Sequence, residues 1–341
     1  MARPLADAGR LPAPVSLTHA TLAAARELVS RFVPPTPQHS WPLLDAEVGS
    51  RVTVKHENHT PVGAFKVRGG LVYVDRLVRE RPEVVDRGIV SATRGNHGQS
   101  LAFAGRAFGV PVTIYVPHGN SVEKNAAMRG LGADVVEFGG DFQEAREECV
   151  RVAEERGLEA VPPFHPDLVA GVATYAHELF TATSDDPIDT VYVPIGMGSG
   201  VNAVCAARDL LGLDTDVVAV VSSSAPASLL SFDAGEVVTT DSAATFVDGV
   251  ATRSPDPTAI AGLLAGAARV IAVDDDAVAE AMRTIFRTTH NVAESAGAIA
   301  LAGLISESPE QRGAHSAFVL CGGNVDTTQF HEVLGGATPS P

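Results

Sequence analysis

Residues 89–104 read IVSATRGNHGQSLAFA, which divides into a short apolar strand, a glycine-containing turn and a helix of small residues. The strand is Ile89-Val90-Ser91-Ala92, and its β-branched residues favour extended backbone. The turn is centred on Gly95, and small and apolar residues typical of a packed helix follow from Gln99 to Ala104. A strand that passes directly into a helix is the first half of a βαβ unit, so the segment predicts a parallel sheet.

The same order of strand and helix repeats along the chain. Apolar, β-branched runs at 112–117, 133–138, 191–195, 217–221 and 317–321 predict strands, and helical patterns occupy 122–131, 201–211, 276–289 and 295–306. Alternation of this kind implies right-handed crossovers. We therefore predict an α/β protein with two mostly parallel sheets. Residues 88–164 form a small domain, and residues 1–87 together with 165–341 form a large one.

Composition excludes several classes of function. The chain has 341 residues and a formal net charge of -16, which disfavours binding to nucleic acid or to anionic membranes. No apolar run approaches the roughly 20 residues that span a bilayer. The segment from Met1 to Ser16 lacks the continuous apolar core of a secretory signal.

Cysteine and histidine usage points to a reducing compartment without a metal site. Cys149, Cys205 and Cys321 are odd in number and far apart, which fits neither a disulfide framework nor a zinc spacing. None of the eleven histidines pairs with a nearby carboxylate at a zinc-binding spacing. We therefore expect a cytoplasmic protein and no protein metal site.

Lysine is rare, because only Lys55, Lys66 and Lys124 occur among the 25 Lys and Arg residues. Lys66 lies in PVGAFKVRGG, residues 61–70, between glycines and apolar residues. An amine forms a Schiff base with an aldehyde and a guanidinium does not, so a retained lysine here is a candidate for covalent chemistry. By itself, the pattern also fits a solvated lysine at a helix start.

Three further loops follow predicted strands. Residues 95–99 (GNHGQ) offer backbone N–H groups at a helix N-terminus to an anion such as a carboxylate, although a tight turn with an asparagine cap gives the same pattern. Residues 196–200 (GMGSG) suit a phosphate, but they lack the P-loop lysine and the third glycine of a dinucleotide fingerprint. Residues 320–324 (LCGGN) end the last strand, where a lone cysteine is otherwise a small buried hydrophobe.

Taken together, these segments resemble the fold type II pyridoxal-phosphate enzymes, in particular the serine/threonine dehydratase and serine racemase family. The resemblance extends from Thr36-Pro37 to Asp326 and includes, in the family's order, KHEN (55–58) with GAFKVRG (63–69), GNHGQ (95–99), GMGSG (196–200), TFVDG (245–249) and ESAGA (294–298). It implies the tryptophan synthase β-like fold, with two three-layer α/β/α domains, and pyridoxal 5′-phosphate as cofactor.

The resemblance also implies a role for each loop. Lys66 would hold the cofactor as a Schiff base and remove the substrate Cα proton, Phe65 would lie against the ring, and Asn96 would bond its phenolic oxygen. Cys321 would face the pyridine nitrogen, where a neutral thiol stabilises a protonated ring less than a carboxylate and favours prompt loss of a β-leaving group. The phosphate would be held by Gly196, Met197, Gly198, Ser199 and Gly200. The substrate would be held by Thr93, Arg94, Gly95, Asn96 and His97.

Some positions depart from the family pattern. Ala64 stands where the family commonly has serine, and Arg94 stands where racemases have the serine that acts on the second face, so racemisation is disfavoured. Arg94 either pairs with a second anionic group on the substrate or points into solvent. Residues 222–224 (SSS) stand where metal-activated relatives carry a glutamate, and the sequence ends soon after Phe330. We therefore expect neither divalent-cation activation nor isoleucine feedback through a C-terminal regulatory domain.

We expect a homodimeric ammonia-lyase that converts a 3-hydroxy amino acid, by default L-threonine or L-serine, into a 2-oxo acid and ammonia, with no nucleic-acid or membrane partner. Ala64 and Arg94 leave open a larger or acidic substrate, such as hydroxyaspartate or an ectoine-derived diamino acid. Other interpretations are β-replacement or racemisation on the same fold, a non-catalytic cofactor-binding sensor, and a nucleotide-binding protein using residues 196–200.

Overall fold

The computed structural model describes residues 11–341 and shows the predicted α/β architecture. The helices are α1 (His19–Val29), α2 (Pro42–Val48), α3 (Lys66–Glu80), α4 (Val84–Arg87), α5 (Asn96–Phe108), α6 (Val122–Gly130), α7 (Phe142–Arg156), α8 (Pro166–Ala182), α9 (Ser199–Leu211), α10 (Ala227–Ala234), α11 (Pro257–Gly266), α12 (Asp275–Thr289), α13 (Ser295–Ser306), α14 (Pro309–Arg312) and α15 (Thr327–Leu334). Two 3₁₀ turns cover Glu57–His59 and Asp248–Val250.

The strands are β1 (Gln38–Ser40), β2 (Arg51–His56), β3 (Ile89–Ala92), β4 (Val112–Val116), β5 (Asp134–Glu137), β6 (Glu159–Ala160), β7 (Thr190–Pro194), β8 (Asp216–Ser222), β9 (Arg269–Val273) and β10 (His315–Leu320). They form a six-stranded sheet, in the order β1-β2-β10-β7-β8-β9, and a four-stranded sheet, in the order β5-β4-β3-β6. Only the edge strand β1 runs antiparallel to its neighbour among the described strands. Two mostly parallel sheets are therefore confirmed.

Helices cover both faces of each sheet, as parallel sheets require. In the four-stranded sheet, Ile114 joins a core with α3 and α5, whereas the next residue, Tyr115, joins a separate core with α7. In the six-stranded sheet, every residue from Val217 to Ser222 is buried. The first of these cores also takes in Leu71 and other residues that precede position 88, so α3 packs against the four-stranded sheet as well.

Most predicted elements lie within two residues of the observed ones. The prediction did not include β2, which alternates polar with apolar residues and has no simple apolar run. Its residues Lys55 and His56 are fully buried. In the sheet, β10 lies between β2 and β7. The carboxyl ends of neighbouring parallel strands meet at one sheet edge, so the segments after these three strands lie side by side.

Among the helices of residues 11–341, none combines the length and the apolar character that are needed to cross a membrane.

Candidate active site

Lys66 is the first residue of α3, and backbone contacts fix its position beside the end of β10. Ala64 forms an isolated bridge with Gly322, and the Phe65 N–H donates to the Cys321 carbonyl at 2.9 Å. The Lys66 carbonyl accepts from Ser100 Oγ at 2.6 Å, and the amine lies 4.8 Å from the centre of the Phe65 ring. The lysine is therefore held at the junction of the two sheets.

A network of buried charges anchors α3 one half-turn beyond Lys66. Arg68 donates through Nε and one terminal nitrogen to both oxygens of Glu57, at 2.8 and 3.0 Å, and its terminal nitrogens donate to Glu178 at 2.7 and 3.0 Å. Lys55 Nζ donates to Glu178 at 2.7 Å. We call Lys55, Glu57, Arg68 and Glu178 the buried network. Lys55 of β2 and Arg68 of α3 both donate hydrogen bonds to Glu178 of α8, so the network connects these three elements.

The loop from Gly196 to Gly200 joins β7 to α9, and two of its glycines are required by its backbone. Gly198 has a φ of 95°, which favours glycine, and a Cβ on Gly196 would come within 2.3 Å of the Gly249 carbonyl oxygen. The α9 N-terminus has no side-chain cap and no acidic residue in its first turn. Its free backbone N–H groups and the helix dipole therefore suit an anion.

Cys321 follows β10 and presents a neutral thiol to the same space. Its Sγ donates to the Ala296 carbonyl at 3.3 Å. Burial raises the pKa of this thiol well above its ordinary value, and the nearby Glu294 carboxyl adds to the increase. The thiol is therefore a weak neutral donor at physiological pH.

One cavity brings together all the residues predicted to bind the cofactor. Its lining comprises Phe65, Lys66, Asn96, Pro194, Gly196, Met197, Gly198, Ser199, Gly200, Gly249, Val250, Glu294, Ala296 and Cys321. The loop that was predicted to bind the substrate contributes Asn96 to this lining, whereas Thr93, Arg94, Gly95 and His97 lie beyond it.

The structure gives these four residues different environments. Thr93 and His97 are buried, and Thr93 Oγ1 accepts from the Gly95 N–H at 3.2 Å. Burial and the nearby Lys66 lower the pKa of His97 to about 3, and its Nε2 has no hydrogen-bond partner among residues 11–341. Arg94 is about half exposed, and its guanidinium lies 3.6 Å from the Asp248 carboxylate.

Asn96 is oriented from both sides. Its Nδ2 donates to Glu294 Oε1 at 2.5 Å, and its Oδ1 accepts from Asn324 Nδ2 at 2.8 Å. Asn324 Nδ2 also donates to the Val62 carbonyl at 2.8 Å. The amide plane is therefore fixed by residues from the six-stranded sheet and its connections.

Three charged residues for which the sequence predicted no site role, Lys124, Asp248 and Glu294, lie close together at the cavity. Lys124 Nζ lies 3.7 Å from Glu294 Oε2 and 3.8 Å from Asp248 Oδ2. We call Arg94, Lys124, Asp248 and Glu294 the cross-sheet cluster, because the cations follow strands of the four-stranded sheet and the carboxylates do not. The rarity of lysine was the only sequence signal for Lys124, and the TFVDG and ESAGA segments contained both carboxylates.

The residues fit pyridoxal 5′-phosphate. The uncapped α9 N-terminus suits its phosphate, the Lys66 amine suits its aldehyde, and the neutral Cys321 thiol suits its ring nitrogen. The unpartnered His97 Nε2 beside Lys66 leaves a polar group free for a substrate. By contrast, residues 11–341 contain no group of three His, Cys, Asp or Glu side chains arranged to hold a metal ion.

Relatives of known activity are similar over most of the chain. The L-threo-3-hydroxyaspartate ammonia-lyase of Pseudomonas sp is 32% identical over 324 residues, which cover 94% of this chain and 99% of the relative. The biosynthetic L-threonine dehydratase of Salmonella typhimurium is 32% identical over 299 residues, 87% of this chain. These residues cover only 57% of that dehydratase, so the chain spans little more than half of its length.

Solved structures show the same fold. The processed threonine deaminase isoform 2 of Solanum lycopersicum superposes with a TM-score of 0.86 at 26% identity, covering 98% of this chain and 94% of that one. The maize serine racemase superposes with a TM-score of 0.85 at 25% identity, covering 95% of this chain and 97% of that one.

The family model described as "Pyridoxal-phosphate dependent enzyme" matches residues 29–322. This match and the cavity around Lys66 disfavour the nucleotide-binding interpretation of residues 196–200, which lie in the middle of the matched region. The chain belongs to the family of pyridoxal-phosphate dependent enzymes, and pyridoxal 5′-phosphate is its cofactor.

Proposed function

We propose that this protein eliminates water from a 3-hydroxy amino acid, by default L-threonine or L-serine, and that hydrolysis of the product then gives a 2-oxo acid and ammonia. The observation that carries the proposal is the cavity in which Lys66 meets the glycine loop, Cys321 and Asn96. The relatives named as ammonia-lyases support the reaction class. The Schiff base at Lys66 and the individual residue roles are part of this proposal.

The loop before α5 binds and orients the substrate carboxylate. The α5 N-terminus begins after Gly95 without a side-chain cap, so its N–H groups are available to an anion. Thr93 and Asn96 provide neighbouring polar side chains, and His97 stays neutral because burial lowers its pKa to about 3. A fixed carboxylate holds the Cα–H bond in one orientation, which removes much of the entropic barrier to proton transfer.

Lys66 removes the Cα proton through its amine. Burial lowers the pKa of this amine, which leaves more of it unprotonated at neutral pH, while Cys321 and Glu294 oppose the shift. When bound, pyridoxal phosphate supplies the electron sink for the negative charge left on Cα. The neutral Cys321 stabilises a positively charged ring only weakly, which favours departure of a Cβ group over reprotonation.

The atoms balance without a redox partner. Loss of the Cα proton and the Cβ hydroxyl removes one water from L-threonine. The enamine that leaves the site takes up one water and yields 2-oxobutanoate and ammonia. The same route converts L-serine into pyruvate and ammonia.

The first experiment is a visible absorbance spectrum of the purified protein before and after borohydride, with peptide mapping and a coupled assay for 2-oxo acids. We expect a band that borohydride removes, a modified Lys66 and steady turnover. Lys66→Ala should lose the band and about 10³-fold or more of turnover. Wild-type-like turnover in Lys66→Ala would contradict the role of this lysine. A coloured protein that releases no 2-oxo acid would contradict the lyase reaction and favour the sensor.

A second candidate is an acidic 3-hydroxy amino acid, because Arg94 and Lys124 both lie at the edge of the site. The relative from Pseudomonas sp, named for L-threo-3-hydroxyaspartate, covers nearly the whole chain. The test compares kcat/KM for L-threonine, L-serine and L-threo-3-hydroxyaspartate in the wild type and in Arg94→Ser. If Arg94 binds a second carboxylate, the variant loses about tenfold in kcat/KM on hydroxyaspartate and little on L-threonine. Equal changes on both substrates would reject this candidate.

We further propose that the protein is a cytoplasmic homodimer and that residues 88–164 form its small domain. The three cysteines, Cys149, Cys205 and Cys321, are buried and free, which is compatible with a reducing compartment. Leu43, Phe286 and Leu334 are exposed on α2, α12 and α15, and α12 packs against the other two helices. Light scattering after size-exclusion chromatography tests the dimer, and limited proteolysis near residues 88 and 164 tests the domain division.

A further inference from the structure

The first turn of α6 packs against the segment between β10 and α15. Ser121, the N-cap of α6, donates to the Asp326 carboxylate. The Thr327 N–H at the start of α15 donates to Glu123 Oε1 at 2.8 Å. Lys124 lies in the same turn, so two hydrogen bonds from neighbouring residues fix where its side chain begins.

The Lys124 side chain then reaches across the edge of the site. Its Cδ would lie 2.6 Å from a Cβ on Gly95, so the absence of a side chain at Gly95 leaves room for it. Only 12% of the Lys124 side chain is exposed, and its amine lies between the carboxylates of Asp248 and Glu294. A lysine packed in this way has lost most of its rotamer freedom, which a merely solvated lysine would keep.

Glu294 connects Lys124 to the reacting centre. One of its oxygens faces Lys124 at 3.7 Å, and the other accepts from Asn96 Nδ2 at 2.5 Å. Gly322 makes room for this carboxylate, because a Cβ there would lie 2.1 Å from Glu294 Oε1. The contacts run from Lys124 through Glu294 to Asn96, which lines the cavity with Lys66.

We propose that Lys124 is a positioning residue that acts on the cofactor site through Glu294 and Asn96. The role rests on the cofactor assigned above and does not depend on which amino acid is the substrate. Lys124 touches neither Asn96 nor Lys66 in the contacts described, so its effect passes through the Glu294 carboxylate.

The charges around Glu294 explain why its partner matters. Burial raises the pKa of Glu294, Lys124 and Asn96 oppose this increase, Asp248 adds to it, and Lys66 opposes it. Cys321 is a further titratable neighbour, since the Glu294 charge contributes to the raised pKa of that thiol. Without Lys124, a larger fraction of Glu294 is protonated, and a protonated carboxyl accepts a weaker hydrogen bond from the Asn96 amide.

The test is a double-mutant cycle of Lys124→Met, Glu294→Gln and the double variant. Two quantities are measured without substrate: the dissociation constant for pyridoxal phosphate added to the apoprotein, and the pH midpoint of the bound cofactor's visible absorbance. Arg129→Met is the matched control, because Arg129 lies on the same helix and, within residues 11–341, pairs only with Glu137 at the surface. Lys124→Gln replaces Lys124→Met in the cycle if the latter does not fold.

We expect Lys124→Met to weaken cofactor binding about fivefold and to shift the absorbance midpoint. The double variant should match Glu294→Gln alone, and Lys124→Arg should recover cofactor affinity to within about twofold of wild type. Effects that multiply in the double variant would overturn the proposal, as would a Lys124→Met protein indistinguishable from Arg129→Met. A protein that binds the cofactor but eliminates no water would contradict the proposed function. The double-mutant cycle would still test the role of Lys124, because it measures cofactor binding and absorbance without substrate.

Discussion

The buried network and the cross-sheet cluster each contain two cations and two carboxylates, yet they are built differently. In the buried network, Arg68 is fully buried and makes hydrogen bonds of 2.7 to 3.0 Å to two glutamates. In the cross-sheet cluster, the cations lie 3.6 to 3.8 Å from the carboxylates, and Arg94 is 48% exposed. The first arrangement holds Lys66 in place, and the second leaves charges able to respond to what enters the site.

Removal of Arg68 should have the largest effect on the difference between the two clusters. Arg68→Met leaves the fully buried Glu57 without its cation, so we expect a loss of about 3–5 kcal/mol in the free energy of unfolding. Arg94→Met should cost less than about 1 kcal/mol. Chemical denaturation of the two variants measures both changes. Arg76→Met is the matched control on α3, because Arg76 is exposed. Equal losses in Arg68→Met and Arg76→Met would show that the buried network does not stabilise the fold.

The two clusters also predict opposite pH dependences of stability. Burial favours a higher pKa for Glu178, but hydrogen bonds and charges from Arg68 and Lys55 outweigh it and lower the pKa below its ordinary 4.5. The stability contributed by Glu178 is therefore present above pH 4.5 and is lost as the pH falls through the lowered pKa. The pKa of Glu294 is raised, mainly by burial, so its contribution is present below 4.5 and is lost as the pH rises.

Glu178→Gln and Glu294→Gln measure this difference. Relative to Glu178→Gln, the wild type should become less stable on acidification, and relative to Glu294→Gln it should become less stable as the pH rises. Each slope is at most about 1.4 kcal/mol per pH unit. Unfolding curves at several pH values provide the measurement. Slopes of the same sign in both comparisons would contradict the assigned difference between the clusters.

The smallest expected effect is that of salt. At about 1 M salt the screening length is about 3 Å, so the partly exposed pair of Arg94 and Asp248 should weaken, while the buried network should not. We expect the Michaelis constant for an acidic substrate to rise about twofold to threefold between low and high salt, and Arg94→Ser to abolish that rise. A rise of the same size in Arg94→Ser would assign the salt effect to another site.

Local sequence patterns predicted the parallel sheets because β-branched runs and the glycines after them act over a few residues. They did not predict β2, since the buried Lys55 in this strand depends on Glu178, far along the chain, for its ion pair. The loops of the site were predicted for the same local reason, together with the resemblance. Lys124 was not, because its place depends on α6 docking beside α15, which the pattern of α6 does not show.

The position of β10 in the sheet has a consequence for biosynthesis. This strand follows the other five strands of its sheet in the sequence, yet it lies between β2 and β7, and the residue after it accepts the hydrogen bond from Phe65 that fixes the start of α3. During translation, the centre of the six-stranded sheet stays open until β10 leaves the ribosome. The cofactor therefore cannot act as an early folding template, and a nascent chain becomes able to bind it only after β10 has been synthesised.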